Sequence, residues 1–198
     1  MTRPTSHPLE HILAVSVVVP ARNEARLIGR CLTAIRATVD HLRTTAAIAI
    51  DVDVTVVLDD CSDPTATIAS AYDVRVVTVG YGAVGASRHA GVTAALRPDP
   101  RGLPRQKRLL WEFAHEPAPG HPHIYGANLG IRASTYLALG GFAPVATGED
   151  RALVHVARDH GDGIVATDQA PVLTSARRHA RAPHGFADWI HDRQGGML

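Results

Sequence analysis

The chain has 198 residues, of which 45% are hydrophobic and 20% charged, and its formal net charge at pH 7 is +1. These values are ordinary for a globular domain with a real core, and the charge gives no broad electrostatic case for nucleic-acid binding. Two cysteines, Cys31 and Cys61, exclude a disulfide framework or a cysteine zinc site and suit a reducing cytosol.

Three strands are predicted in the first half of the chain, over residues 15–19, 48–58 and 74–79. The first is a continuous β-branched run, which is typical of a buried parallel strand. A helix is predicted after each strand, so the order β-α-β-α-β-α indicates a parallel sheet with right-handed crossovers.

The three helices differ in their signals. Asn23 can cap the first helix, and Asp63 followed by Pro64 predicts a cap and a first-turn proline for the second. The third is predicted over 86–96. The first helix has one apolar face, formed by Leu27, Ile28, Cys31, Ile35, Val39 and Leu42.

The regular pattern stops after residue 96. Residues 97–123 carry six prolines and are predicted to be a connecting segment over the surface. Order resumes at Ile124. We predict short helices over 134–139, 150–160 and 186–191, and short strands over 164–167 and 172–174.

The sequence shows no secretion or membrane signal. Residues 1–11 lack the apolar segment of a signal peptide, and no apolar run approaches the length of a membrane span. We therefore expect a cytoplasmic protein without a transmembrane segment. Peripheral contact with a membrane stays open.

Acidic and polar residues follow the first two strands. Residues 20–24 follow the first, while Asp59 and Asp60 end the second. The carboxyl edge of a parallel sheet is where open α/β folds bind ligands, and carboxylates there can accept hydrogen bonds or bind a divalent cation. The alternative is that these aspartates only form a turn, because aspartate is favoured in turns and as a helix cap. We interpret Asp63 as a helix cap and favour a ligand role for Asp60, because the preceding loop fits as well.

Several segments, in this order, resemble family 2 glycosyltransferases. They are VVVPARNE over 17–24, LDDCSD over 58–63, GASRHAG over 85–91, GANLGIR over 126–132, GGF over 140–142 and GED over 148–150. The resemblance implies an α/β three-layer sandwich of the Rossmann-like GT-A type, shortened in the middle. It also implies one domain over 1–198, with a nucleotide-binding half (15–96), a connector (97–123) and an acceptor-side half (124–198).

The resemblance also implies roles for single residues. The donor is expected to be a nucleotide-diphosphate sugar, and the acceptor a hydroxyl. Asp150, with Glu149 beside it, would be the catalytic base, while Asn128, Arg177 and Arg178 would meet the acceptor or the diphosphate. The nucleotide would be held by Pro20, Ala21, Arg22, Glu24, Asp59, Asp60 and Arg88.

The metal motif of the family is missing. Its members carry an Asp-x-Asp that binds Mn²⁺ or Mg²⁺, but the stretch between Gly91 and Gly126 has neither an apolar strand nor that motif. Asp51-Val52-Asp53 has the right letters but sits inside the second strand. His179 is the remaining metal candidate, with an exposed loop histidine as the alternative. Without the metal, we expect impaired transfer, since the leaving diphosphate needs cationic stabilisation.

Two other functions stay open. One is a non-catalytic nucleotide-binding or interaction protein. The other is a dinucleotide-dependent oxidoreductase, because Gly80, Gly82 and Gly85 form a G-x-G-x-x-G between a strand and a helix. Against the second, this motif should follow the first strand of the fold, not the third.

Overall fold

The computed structural model describes residues 14–47, 49–96, 124, 126 and 128–166. Three strands form one parallel sheet: β1 (Ala14–Ala21), β2 (Asp51–Asp59) and β3 (Arg75–Val79). β2 lies between the other two. The predicted parallel sheet is therefore confirmed. The second strand begins at Asp51, and the described residues 49 and 50, which were predicted to belong to it, lie outside a strand.

The register brings the strand ends together at one edge. Ala21 of β1 pairs with Leu58 of β2, and Asp59 of β2 pairs with Val79 of β3. The loops that follow all three strands therefore leave the sheet on the same side. This alignment places residues 22–24, 60–63 and 80–83 next to one another.

Helices cover both faces of the sheet. α1 (Ile28–Thr45) and α2 (Thr65–Ala69) lie on one face, and α3 (Val84–Leu96) lies on the other. Because strand side chains alternate, Val56 faces α1 and α2 while its neighbour Val57 faces α3. The first core contains Ala21, Ile28, Leu32, Val56, Leu58 and Ala69.

The second core joins α3 to the later part of the chain. α4 (Ala133–Ala138) and α5 (Glu149–Asp159) pack there, beside the α3 face of β1. Its buried residues are Val92, Leu129, Tyr136, Phe142, Leu153 and Val154. The result is an α/β sandwich with a small parallel sheet in its middle layer.

The starts of two helices differ from the prediction. α1 begins at Ile28, and Asn23 instead adopts a φ of 52° and accepts hydrogen bonds from the main-chain N–H groups of Ser62 and Asp63. α2 begins at Thr65, so Pro64 occupies the cap position and not the first turn. Asn23 therefore connects two loops and does not cap a helix. The Asp63 carboxylate does accept the N–H of Thr65, the first residue of α2, at 3.0 Å, so the capping contact predicted for Asp63 is present.

The later elements agree in part with prediction. α4 and α5 lie where helices were expected. Residues 164–166, the described part of the predicted strand 164–167, are not in a strand, so that prediction is wrong over those residues. The predicted elements at 172–174 and 186–191 and the connector 97–123 lie outside the described residues. Among the helices that the structure describes, none is long and apolar enough to cross a membrane.

Gly91 sets how closely α3 packs on the sheet. A Cβ at this position would overlap Val18 and come within 2.8 Å of Val57 Cγ2. We expect Gly91→Ala to lower the free energy of unfolding by about 1–3 kcal/mol, because the packed helix has to move away from the sheet. Denaturant unfolding measures this. Gly163→Ala is the control, since a Cβ there meets nothing within 4 Å, and equal stabilities of the two variants would contradict the packing described here.

Candidate functional site

Asp60 and Arg22 face each other across the carboxyl edge of the sheet. Asp60 adopts a φ of 50° directly after β2, and its N–H donates to the Val79 carbonyl at 3.1 Å. The Asp60 carboxylate and the Arg22 guanidinium are 4.0 Å apart, with 53% and 43% of the side chains exposed. An acceptor and a cation are thus both accessible at this edge.

Two glycines keep the space beside this pair open. A Cβ on Gly80 would lie 3.1 Å from the Asp60 carboxylate, and a Cβ on Gly82 would lie 3.4 Å from the Arg22 guanidinium. Gly82 also has a φ of 62°, which favours glycine. The first two glycines of the G-x-G-x-x-G, Gly80 and Gly82, therefore leave space beside Asp60 and Arg22.

Asp59 has the opposite environment to Asp60. It is only 5% exposed. One carboxylate oxygen accepts hydrogen bonds from the N–H groups of Tyr81 and Gly82 at 2.8 and 3.0 Å, and the other accepts one from the Ser87 hydroxyl at 2.9 Å. Asp59 thus fixes the loop between β3 and α3 and the first turns of α3.

The loops after β1 and β2 are held together by side chains. The Glu24 N–H donates to the Thr65 hydroxyl at 2.8 Å, and the Ala25 N–H donates to the Asp63 carboxylate at 3.1 Å. The hydroxyl of Thr65 donates to the same carboxylate, and this bond lowers the pKa of Asp63. Asp63 therefore supports the edge through main-chain and side-chain hydrogen bonds.

A second cluster joins α3 to the start of α5. The guanidinium of Arg88 forms an ion pair with Glu149 and also donates to the Gly126 carbonyl at 2.9 Å. Only 12% of the Arg88 side chain and 4% of the Glu149 side chain are exposed. Burial lowers the pKa of Arg88, and the nearby charges of Glu149 and Asp150 oppose that effect. Arg88 Cζ also lies 5.9 Å from the centre of the Phe142 ring.

Asp150 belongs to the same cluster. One of its carboxylate oxygens accepts the Gly126 N–H at 2.6 Å, and the other accepts the N–H of Arg151 at 2.7 Å. Asp150 is half-buried, unlike its neighbour Glu149. Two small residues make room for the cluster, because a Cβ on Gly126 or Gly85 would crowd Arg88 or Glu149, respectively.

The structure brings most predicted site residues into these two clusters. Pro20 and Ala21 end β1 at the edge, where Ala21 is buried. Asn128 is half-buried just before Leu129. Arg177, Arg178 and His179 lie outside the described residues, so their roles stay predictions.

The described residues do not offer a metal site. Among them, no group of three or more His, Cys, Asp or Glu side chains could hold a metal ion. Asp51 and Asp53 begin β2, at the end of the sheet opposite to Asp60, and Asp53 accepts a hydrogen bond from the Ser16 hydroxyl at 2.6 Å. The described part of the chain therefore does not fit the family's divalent cation.

A comparison with protein families identifies the first half. The family model of glycosyl transferase family 2 matches residues 16–97. These residues form a family 2 glycosyltransferase-like domain. The match includes Arg22, Asp60 and Arg88, and the small parallel sheet is consistent with a shortened GT-A fold. It ends before Glu149 and Asp150, whose likeness to the family's acidic pair stays a prediction. No curated protein matches the chain.

The sequence does not predict the contacts of three residues in the candidate site. Asn23 is predicted to cap the first helix, and the sequence predicts no individual contact for Ser87 or Gly126. The motif glycine Gly126 could have been noticed as a place where a backbone approaches another group closely. Nothing in the periodicity marks Ser87 as a partner of Asp59.

Loss of the Asp59 carboxylate should destabilise the site. We expect Asp59→Ala to lower the free energy of unfolding by about 1–3 kcal/mol, because two loop N–H groups and the Ser87 hydroxyl lose a buried acceptor. Asp60→Asn should stay close to the unchanged chain, because that side chain is half exposed. Thermal and denaturant unfolding of both variants checks this, and an unaffected Asp59→Ala would contradict the role given to Asp59.

Proposed function

We propose that this protein transfers a sugar from a nucleotide-diphosphate sugar to an acceptor hydroxyl. The observation that carries the proposal is the pairing of exposed Asp60 and Arg22 beside Gly80 and Gly82, inside the segment that matches family 2. A carboxylate can accept hydrogen bonds from a nucleoside and a guanidinium can bind a diphosphate, so an accessible pair at this edge suits a nucleoside diphosphate.

Asp60 and Arg22 would contact different parts of the nucleotide. Asp60 would accept a hydrogen bond from a base N–H or a ribose hydroxyl, and Arg22 would face the diphosphate. Pro20 and Ala21 would line the base side. The N–H of Glu24 is already used by Thr65 and its carbonyl by the start of α1, so any ligand contact of Glu24 would come from its side chain.

Asp150 would act as the base of the reaction. Its carboxylate would accept the proton of the acceptor hydroxyl as that oxygen forms a bond to the anomeric carbon of the sugar. The bond from this carbon to the diphosphate would break in the same displacement, and the nucleoside diphosphate would leave with the electron pair. Glu149 would not act as the base, because its side chain is buried and forms an ion pair with Arg88, out of reach of an acceptor.

The leaving group is the weak point of this chemistry. Among the described residues, Arg22 is the cation placed beside Asp60, and the predicted contribution of Arg177, Arg178 or His179 would add to it. Loss of one electrostatic element that stabilises developing charge typically costs about 10²–10³ in rate. We therefore expect transfer to be slow compared with that of a metal-assisted enzyme.

The oxidoreductase alternative is disfavoured by the loop after β3. In a dinucleotide-binding fold, the N–H groups of the glycine-rich turn face the pyrophosphate. Here Asp59 accepts the N–H groups of Tyr81 and Gly82, so a negative charge already occupies that position. The non-catalytic alternative is separated from the enzyme by the two experiments below.

Nucleotide binding should depend on Asp60. We expect Asp60→Asn to weaken the binding of UDP or GDP by about 1–3 kcal/mol, because a charged acceptor becomes a neutral amide. Isothermal titration calorimetry measures the change. Asp51→Asn is the matched control, since Asp51 is exposed on the same strand at its opposite end. If the unchanged chain binds no nucleoside diphosphate, the proposed function is wrong.

Turnover should depend on Asp150. Asp150→Asn should abolish sugar transfer, because the amide cannot accept the hydroxyl proton, while the affinity for the nucleoside diphosphate stays within about twofold. Asp159→Asn, at the far end of α5, should keep the activity of the unchanged chain. The assay follows nucleoside diphosphate release with and without Mn²⁺. Nucleotide binding with no acceptor-dependent release would instead support the non-catalytic protein.

A further inference from the structure

The Arg88 guanidinium is directed into the protein and away from the exposed edge. Its two described polar partners are Glu149 and the Gly126 carbonyl, and its third neighbour is the Phe142 ring. Only 12% of the side chain is exposed, compared with 43% for Arg22. A nucleotide phosphate would therefore meet Arg22 and not Arg88.

Gly126 connects Arg88 to Asp150. Its carbonyl accepts from Arg88 Nη2 at 2.9 Å, and its N–H donates to Asp150 Oδ2 at 2.6 Å. Glu149, the other partner of Arg88, is the residue next to Asp150 at the start of α5. Arg88 thus holds Asp150 from two sides, through the backbone of Gly126 and through Glu149.

We propose that Arg88 is a positioning residue, which fixes the carboxylate of Asp150 through Gly126 and Glu149 and makes no contact with the nucleotide. The proposal rests on the proposed function only for the role of Asp150 in turnover. The position of the Asp150 carboxylate would then depend on α3, the helix that carries Arg88 and begins directly after the loop with Gly80 and Gly82.

The first test is the exchange rate of the Gly126 amide proton, followed by NMR. Asp150→Asn weakens the acceptor of this proton and gives the reference for a weakened hydrogen bond. In Arg88→Met we expect Gly126 exchange to rise by about tenfold, as a locally opened hydrogen bond does. Arg75→Met is the matched control, because Arg75 donates to the Ala94 carbonyl of the same helix without touching the cluster.

Arg88→Met leaves Glu149 as a buried unpaired charge, and this single variant can fail to fold. The double variant Arg88→Met/Glu149→Met removes both charges and keeps apolar volume in their place. It should fold, and Gly126 exchange should still rise, since the guanidinium that held the carbonyl is absent. Arg88→Lys should restore part of the protection, because lysine retains the charge but not the two-pronged donor.

The second test separates positioning from nucleotide contact. In Arg88→Lys and in the double variant, the Kd for UDP or GDP should stay within about twofold of the unchanged chain. The kcat of sugar transfer should fall by up to about 10²-fold, the typical effect of a misplaced catalytic group, while KM for the donor is retained.

Two results would overturn the positioning role of Arg88, and a third concerns the proposed function. Unchanged exchange at Gly126 in the double variant would overturn the proposal. A rise in Kd of tenfold or more in that variant would also overturn it, because Arg88 would then contact the nucleotide. If the unchanged chain binds no nucleoside diphosphate, the proposed function fails, but the Gly126 measurement still supports or overturns the positioning role by itself.

Discussion

The carboxylate of Asp59 is the interaction on which the candidate site depends. It stands at the end of the central strand, where three hydrogen bonds from Tyr81, Gly82 and Ser87 satisfy it. A buried carboxylate is tolerated only when its oxygens are well satisfied. The loop after β3 is therefore drawn towards β2, and the start of α3 is fixed with it. Both Gly80 and Gly82, which open the approach to the edge, lie in the segment that this one side chain holds.

The two adjacent aspartates have different environments: Asp59 is buried and supports the loop after β3, while Asp60 is exposed. Asp59 ends β2 and points into the protein, while the left-handed backbone at Asp60 turns the next side chain towards solvent. Aspartate adopts this conformation at lower cost than most residues. Asp59 thus accepts hydrogen bonds inside the protein, and Asp60 places an accessible carboxylate opposite Arg22. A pair of acids at a strand end need not be a pair of ligands.

Much of the fold could be predicted from local pattern, and less of the site. β-branched runs and helical spacing predict β1, β2, β3 and the helices between them, because the apolar residues that these elements bury lie close together in the sequence. Side-chain contacts between residues that are far apart in the sequence leave no such local pattern. Asn23 connects to Ser62, and Arg88 connects to Glu149, 39 and 61 positions away. The motif resemblance brought Arg88 and Glu149 to notice as site residues, but it could not indicate that each is the other's partner.

The distribution of cations limits the chemistry that this chain can perform. A diphosphate leaving group develops negative charge as the bond to sugar breaks, and a cation helps only where it can reach that charge. The Arg88 guanidinium contacts Glu149 and the Gly126 carbonyl inside the protein, whereas the Arg22 side chain is 43% exposed beside Asp60 at the carboxyl edge of the sheet. The described acidic residues do not assemble a metal site that would supply a second positive centre. In the proposed transferase, Arg22 would therefore be the described group that stabilises the leaving group most, and nucleotide binding is better supported than the chemical step.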